Sequence, residues 1–459
     1  MSEPAAAERS SLRTLADRLE DGRARRQASP RRDLARLTVG ERDPLGILAE
    51  QNRTRVQDLV PLRTERMSAS PFTFYRGTAA LMAADLARDA GSGILVPSCG
   101  DAHVSNFGFY ASPQRELVFD LNDFDEAAWA PWDWDLKRLV TSVVVAGQAT
   151  SRDDRIVQAA GRAAVIGYAR ALRAGVSKTP LERYFAHFTI EATLAALDKQ
   201  SRRALKAASR DARKRTGERA VRRITELGAD GRRRFVESPP AMTHTSAEVA
   251  ARVEENVDRY LRSASVDIRL LMSSFTEVDV ARRVVGVGSV GTRCYLVLFQ
   301  DGDDNTVLLQ AKEAGHSVLA EYGGVAQRAE LTEIVDEHGE GARVVGLQRI
   351  LQATSDPFLG HLRDPTGIDL YVRQFHDMKG GIDMEALDDG PFVQYAESCA
   401  IVLARAHSQS PAGSIVSGYV GHGAAAADPM LEWAYAYADL SRADYQAFLE
   451  ANAGVAGGA

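Results

Sequence analysis

The sequence predicts an α+β protein with two lobes and a large helical portion. Long stretches at about 151–264 and from Pro391 onward carry apolar residues at helical spacing. Between them, from Val266, the texture turns to β-branched and aromatic runs broken by Gly-rich and Asp-rich turns. At 459 residues the chain is also too long for one ordinary core. These changes divide it into a disordered or loosely held tail at 1–42, a mostly helical unit at 43–265, a β-rich unit at 266–380 and closing helices at 381–459.

Composition narrows the class. A hydrophobic fraction of 45% and a charged fraction of 26% are those of an ordinary globular protein. A net charge of −6 speaks against a nucleic-acid binder, whose footprint is basic. Cys99, Cys294 and Cys399 lie far apart without C-x-x-C spacing, which argues against a disulfide framework and a structural zinc site. Such cysteine usage suits reducing cytoplasm. The N-terminus has no apolar signal core, and no apolar run reaches membrane-spanning length, so no membrane partner is expected.

In chain order, residues 1 to about 40 are rich in Ala, Arg and Ser and read as a frayed tail or loosely attached helix. PFTFYRGTAALMAADLARDA (Pro71 to Ala90) reads as a buried helix. GSGILVPSCGDAHVSNFGFY is a short strand entering a turn. RELVFDLNDFDEAAWAPWDWDLKRLVTSVVVAG is a strand, an acidic turn and an apolar helix. The Arg- and Lys-dense stretch from Lys199 to Arg234 reads as a solvated helix face, the alternative being a dock for an acidic partner. From Val266 come strands, then a helical region to about Leu362, then the strand and hinge-like turn GIDLYVRQFHDMKGG. Helices resume with FVQYAESCAIVLARAHSQS.

Three constellations carry chemistry. In Gly100-Asp101-Ala102-His103-Val104-Ser105-Asn106, an Asp precedes an Asn by five residues on a loop leaving a strand. That spacing lets the Asp address an accepting hydroxyl while the Asn oxygen binds a divalent ion in phosphoryl transfer. A polar turn capping a helix uses the same residue types. Downstream, Asp120, Asp123 and Asp125 crowd one turn, and Phe119, Phe124, Trp129, Trp132 and Trp134 predict its partial burial. Buried carboxylates this close call for a cation, and hard oxygen ligands suit magnesium. Asp120 follows the strand directly, whereas Asp123 opens an Asp-Phe-Asp tripeptide twelve residues before Asp135; Asp123 is the main candidate ligand and Asp120 a second.

The third is Gly286-Val287-Gly288-Ser289-Val290-Gly291, followed by strand-forming residues rather than a helix. A dinucleotide-binding turn would open a helix. A strand–turn–strand instead suits glycines closing over phosphates, with Lys312 on the next strand meeting them. A plain hairpin with an edge lysine is the rival. Glu330, Glu333, Glu337 and Glu340 are the candidate partners of Lys312.

Gly100, Asp101, His103 and Asn106 resemble the H-G-D-x-H-x-x-N pattern of aminoglycoside and other small-molecule kinases, with Cys99 in place of the first His. The parts come in rotated order, catalytic loop before Gly-rich turn, as circular permutation of a protein-kinase-like fold produces. The runs RMSASPFTFYRG, CGDAHVSNFG, FDLNDFDEAAWAPWDWDLKRL, GVGSVGTRCYLVL and LYVRQFHDMKG resemble the bacterial family called domain of unknown function 2252. That family is grouped with kinase-like folds; it usually has an acidic residue near RVVGLQR, where this chain has Gly346.

The resemblance implies a phosphotransferase using ATP and Mg2+ on an unknown small-molecule or protein hydroxyl. Gly286, Gly288 and Gly291 would cover the nucleotide phosphates and Lys312 position them; Asp101 would serve the hydroxyl; Asn106, Asp123 and Asp120 would hold the metal. His103 and Asp135 would support the loop, and residues 373–379 would line the adenine pocket. The rivals are a kinase-like AMP transferase, a non-catalytic ATP-binding scaffold and a basic RNA-binding module.

Overall fold

In the computed structural model, which describes residues 13–186, 198–375 and 378–453, the apolar run after Trp134 forms a helix, Trp132–Ala149, buried along nearly its whole length. A helix buried all round needs apolar neighbours all round. The helix that follows and the C-terminal helices supply them: Leu136, Val140 and Val144 share one core with Tyr168, Phe392, Leu403, Met430 and Trp433. These last come from helices Asp154–Val176, Asp389–Ser408 and Ala424–Ala451. Each fully buried side chain of this size contributes about 1.5–3 kcal/mol.

The expected loose tail contains a firmly packed helix, Leu15–Ala28, capped by Thr14. It crosses helix Gly413–Val420 so closely that a Cβ at Gly22 would lie 2.0 Å from the Ile415 carbonyl oxygen. Composition hid this packing because glycine backbone makes the contact, not an apolar stripe. Pro71–Ala90 is two helices, Pro71–Arg76 and Ala79–Leu86, with a break at Gly77 and Thr78. In helix Lys199–Arg213, Ser201, Leu205, Ser209 and Ala212 turn inward while most of its cationic side chains face water.

The β-rich part is a six-stranded antiparallel sheet in the order Gly360–Arg363, Asp369–Gln374, Thr306–Glu313, Cys294–Gln300, Thr276–Arg283, Met242–His244. On one face, Tyr260, Ala264, Ile268 and Met272 pack on Phe299, Leu309 and Leu370. Residues Val266–Met272 are therefore a helix, not the strand expected from their apolar run. Ile268 and Met272, four apart, face the sheet while Val266 and Leu270 stay exposed. A run this short carries no decisive period.

On the other face, Val221 and Phe235 pack on Leu296, Leu298 and Leu308. Within the stretch read as continuously helical, Thr225–Leu227 and Arg233–Phe235 form a hairpin. The sheet unit thus begins well before 266. Among the described residues, no helix is long and apolar enough to cross a membrane.

Candidate active site between the sheet and the helical body

Strand Leu95–Ser98, paired with Ala128–Pro131, delivers the 99–106 loop. The Cys99 and Gly100 amides donate to the two carboxylate oxygens of Asp135 at 2.8 and 3.0 Å. Gly100 has φ +80°, and a Cβ there would lie 2.3 Å from the Glu126 carbonyl oxygen, so only glycine fits. His407 Nε2 lies 3.2 Å from Asp135, and its Nδ1 lies 2.8 Å from the Tyr168 hydroxyl. Asp135 thus buttresses the loop from the first turns of helix Trp132–Ala149, where the helix dipole also favours an anion.

Asp101 accepts a 2.9 Å hydrogen bond from Arg138 Nε, while Asn106 Nδ2 donates to the Asp101 carbonyl oxygen at 2.8 Å. Burial raises the Asp101 carboxyl above its ordinary range, and Arg138 opposes that. His103 Nε2 is 3.6 Å from Asp101 Oδ2. Burial, reinforced by Arg138 and Arg76, drives the His103 pKa down and keeps the ring neutral.

The acidic turn separates its three aspartates. Asp120 accepts hydrogen bonds from the Leu121 and Ala353 amides at 2.8 and 2.7 Å and is buried away from the cleft. Its assignment as a second metal ligand is therefore corrected: both oxygens are committed to backbone. Asp123 reaches the cleft, and its Oδ1, 3.8 Å from Lys312 Nζ, is buried and among the described residues has no hydrogen-bond partner.

Asp125 takes Lys312 Nζ at 2.5 Å and the Tyr371 hydroxyl at 2.5 Å. None of the four candidate glutamates partners Lys312. Glu340 pairs with His316 and Arg343, Glu330 with Arg328, and Glu333 and Glu337 are exposed. Helix Glu340–Leu351 instead holds the turn through Arg343, which donates to the carbonyls of Asp125 at 3.0 Å and Gly315 at 2.8 Å. At Gly346 on this helix a Cβ would meet nothing within 4 Å, so a longer side chain has room.

Gly286, Gly288 and Gly291 lie in the turn joining antiparallel strands Thr276–Arg283 and Cys294–Gln300, and Lys312 is on the neighbouring strand. Gly286 and Gly291 adopt φ +69° and +91°. The turn is held down from below: Arg66 donates to the Gly286 carbonyl at 2.7 Å and the Val56 amide to that of Gly291 at 2.8 Å. No helix follows, which removes the dinucleotide-binding alternative.

Beneath the turn lie two adjoining clefts. One, of about 550 Å³, is lined by Asn106, Gly286, Lys312, Arg373 and Lys379. The other, of about 350 Å³, is lined by Asp101, Asp125, Glu126, Gly288 and Thr292. Arg76, Asp123 and Ser289 line both. Of the 373–379 stretch, Arg373, Gln374, Phe375 and Lys379 line the larger cleft; residues 376–377 fall outside the described residues.

Burial, then Arg373, pushes the Lys379 pKa down to about 7, and burial pushes Glu126 up to about 7. Among the described residues no group of three His, Cys, Asp or Glu converges as a metal centre. Magnesium needs none, since it keeps waters and substrate phosphates as ligands beside one or two protein oxygens. Asn106 and Asp123 are the fitting pair: Asp123 Oδ1 is unpartnered, and the Asn106 amide nitrogen is already engaged, leaving its oxygen.

Sequence reasoning missed Arg76, Arg373 and Lys379 as individual site residues and gave Asp125 no role. The only signal was their presence in runs already singled out, FTFYRG, LYVRQFHDMKG and NDFDE.

Fold and site together define a mixed α+β protein with a charged cleft under a Gly-rich turn. The chain belongs to the family described as Uncharacterized protein conserved in bacteria (DUF2252), which it matches over residues 55–451. No curated protein and no solved structure matches it.

Proposed function

We propose that the protein is an ATP- and magnesium-dependent phosphotransferase on a circularly permuted kinase-like frame, acting on a small-molecule or protein hydroxyl. The observation that carries this reading is the convergence of Asp101, Asn106, Asp123 and Lys312 around two adjoining clefts beneath one Gly-rich turn. Kinase-like sites place a lysine on the strand after the Gly-rich pair, and a helix following that strand. Lys312 and helix Glu340–Leu351 fit those two places, and the helical body on either side of the sheet unit fits the permuted order.

In this reading Lys312, Arg373 and Lys379, which line the larger cleft, hold the polyphosphate, a task suited to cations. Magnesium, when bound, neutralises phosphate charge; Asn106 and Asp123 would hold it. Asp101, fixed by Arg138, orients the acceptor hydroxyl and takes its proton. The test is calorimetric titration of ATP with and without magnesium, on wild type and Asp123→Ala. Magnesium-dependent binding in wild type that the variant loses supports the site. Absence of binding in both sinks the reading.

Lys379 adds a pH signature. Near pH 8 its amine is largely neutral in the free protein, because its folded pKa is about 7 against an ordinary 10.5. A bound polyphosphate favours the ammonium form, so Mg-ATP binding at pH 8 should take up about one proton or less, and uptake should vanish near pH 6. Titrations in two buffers of different ionisation heat measure it, and Lys379→Met should lower the uptake, leaving only the share of Glu126. Without ligand the sign is the reverse of the usual lysine case: the unfolded chain binds more protons between about pH 7 and 10.5, so this group adds stability as pH rises through that window.

A further inference from the structure

Arg76 ends helix Pro71–Arg76, just before the chain breaks at Gly77 and Thr78. Arg76 lines both clefts, together with Asp123 and Ser289. The Gly-rich turn rests on its backbone: a Cβ at Gly288 would lie 3.4 Å from the Arg76 carbonyl oxygen. Neighbouring arginines are engaged: Arg138 by Asp101, Arg343 by Glu340 and three carbonyls, Arg66 by Gly286, Arg55 by Val290. Arg76 differs. Its Nε is buried without a hydrogen-bond partner, as that of Arg55 also is, but among the described residues the other nitrogens of the Arg76 guanidinium make no hydrogen bond or ion pair either. Its surrounding charges include Asp101 and Asp123, one from each chemical role. Arg76 as a whole is half-buried, and a desolvated guanidinium nitrogen left unsatisfied is costly unless a ligand completes it.

We propose that Arg76 is a catalytic residue that binds the γ-phosphoryl group of ATP at the seam between the two clefts and holds it during transfer. The inference rests on the phosphotransferase reading. In the step, the acceptor hydroxyl oxygen forms a bond to the γ-phosphorus, and the bond from that phosphorus to the β,γ-bridging oxygen breaks. ADP leaves with that oxygen, and the hydroxyl proton passes to the Asp101 carboxylate. Arg76 donates to the non-bridging γ-oxygens throughout, the role an arginine finger supplied from the same chain performs. Lys312, Arg373 and Lys379, which line the larger cleft alone, are left to the α- and β-phosphates.

The experiment compares Mg-ADP, Mg-ATP and Mg-ADP with aluminium fluoride, a mimic of the transferring group, by calorimetry on the full chain. Arg76→Ala should leave ADP affinity within about twofold and weaken ATP by about tenfold or more, with a larger loss for the fluoride complex. Arg76→Lys should recover part of the loss, since it keeps the charge without the fork. Should the alanine variant melt early, Arg76→Gln, closer in length, carries the same comparison. Equal losses for ADP and ATP would mark Arg76 as structural and overturn the assignment, as would no loss for either. If wild type binds no magnesium nucleotide at all, the phosphotransferase reading fails and takes this role with it. If wild type binds and the Arg76 variants keep its preference for ATP over ADP, only the role of Arg76 fails.

Discussion

Replacing Asp135 with alanine is expected to destabilise the protein by about 3–5 kcal/mol and to free the 99–106 loop. The carboxylate is buried and serves the Cys99 amide, the Gly100 amide and His407 Nε2 at once. Truncation leaves two backbone donors and a ring nitrogen facing a small void that water reaches poorly, and each orphaned group costs about 1–3 kcal/mol. Asp135→Asn should fall between, because its amide group can accept from one backbone N–H but turns a donor toward the other. Urea unfolding measures the cost, and hydrogen exchange of a peptide spanning 99–106 reports the loop. A loss under about 1 kcal/mol with unchanged exchange would show that the loop is held by something other than Asp135.

The second large effect concerns Lys312→Ala, which should act twice. Lys312 is buried against Asp125 at 2.5 Å, with Asp123 at 3.8 Å. Removing one partner of a buried pair leaves an uncompensated charge and costs about 3–5 kcal/mol. The same change removes a cation from the larger cleft, so Mg-ATP affinity should fall by about ten- to a hundredfold. The double variant Lys312→Ala with Asp125→Asn separates the two: stability should largely return while nucleotide binding should not. If both return together, Lys312 acts only through the fold.

Burial works against both charges, but their mutual attraction dominates, holding the Asp125 carboxyl below its ordinary range and the Lys312 amine well above its own. A depressed carboxylate stabilises above its unfolded pKa, and a raised amine stabilises below its own. The stability difference between wild type and Lys312→Ala should therefore be largest near neutral pH, shrink on acidification as the uncompensated Asp125 of the variant takes up a proton, and shrink again above about pH 10.

Much of the site was legible because its logic is local. Asp101 and Asn106 sit five apart on a loop that follows a strand, and the backbone joins them through one hydrogen bond. The Gly-rich segment announced a strand–turn–strand because strand-forming residues follow it, and Lys312 falls on the next strand by simple hairpin counting. The failures share a different cause. Residues 266–272 carry apolar side chains that serve a helix or a strand equally until a sheet lies beneath them. Helix Leu15–Ala28 is held by glycine backbone contacts that no apolar pattern records.

What the sequence determined by itself, then, is the set of local elements and the residues each brings to the cleft: the loop with Asp101, the acidic turn, the Gly-rich turn and the lysine strand. What only the tertiary structure decided is pairing. Asp125 rather than a glutamate meets Lys312 across 187 residues of chain, Asp120 is consumed by the amides of Leu121 and Ala353, and Arg76 is left without a partner among the described residues, between two clefts. The physical reason is that charge and hydrogen-bond partnership depend on distance and desolvation, which are set by how the elements pack and not by spacing along the chain.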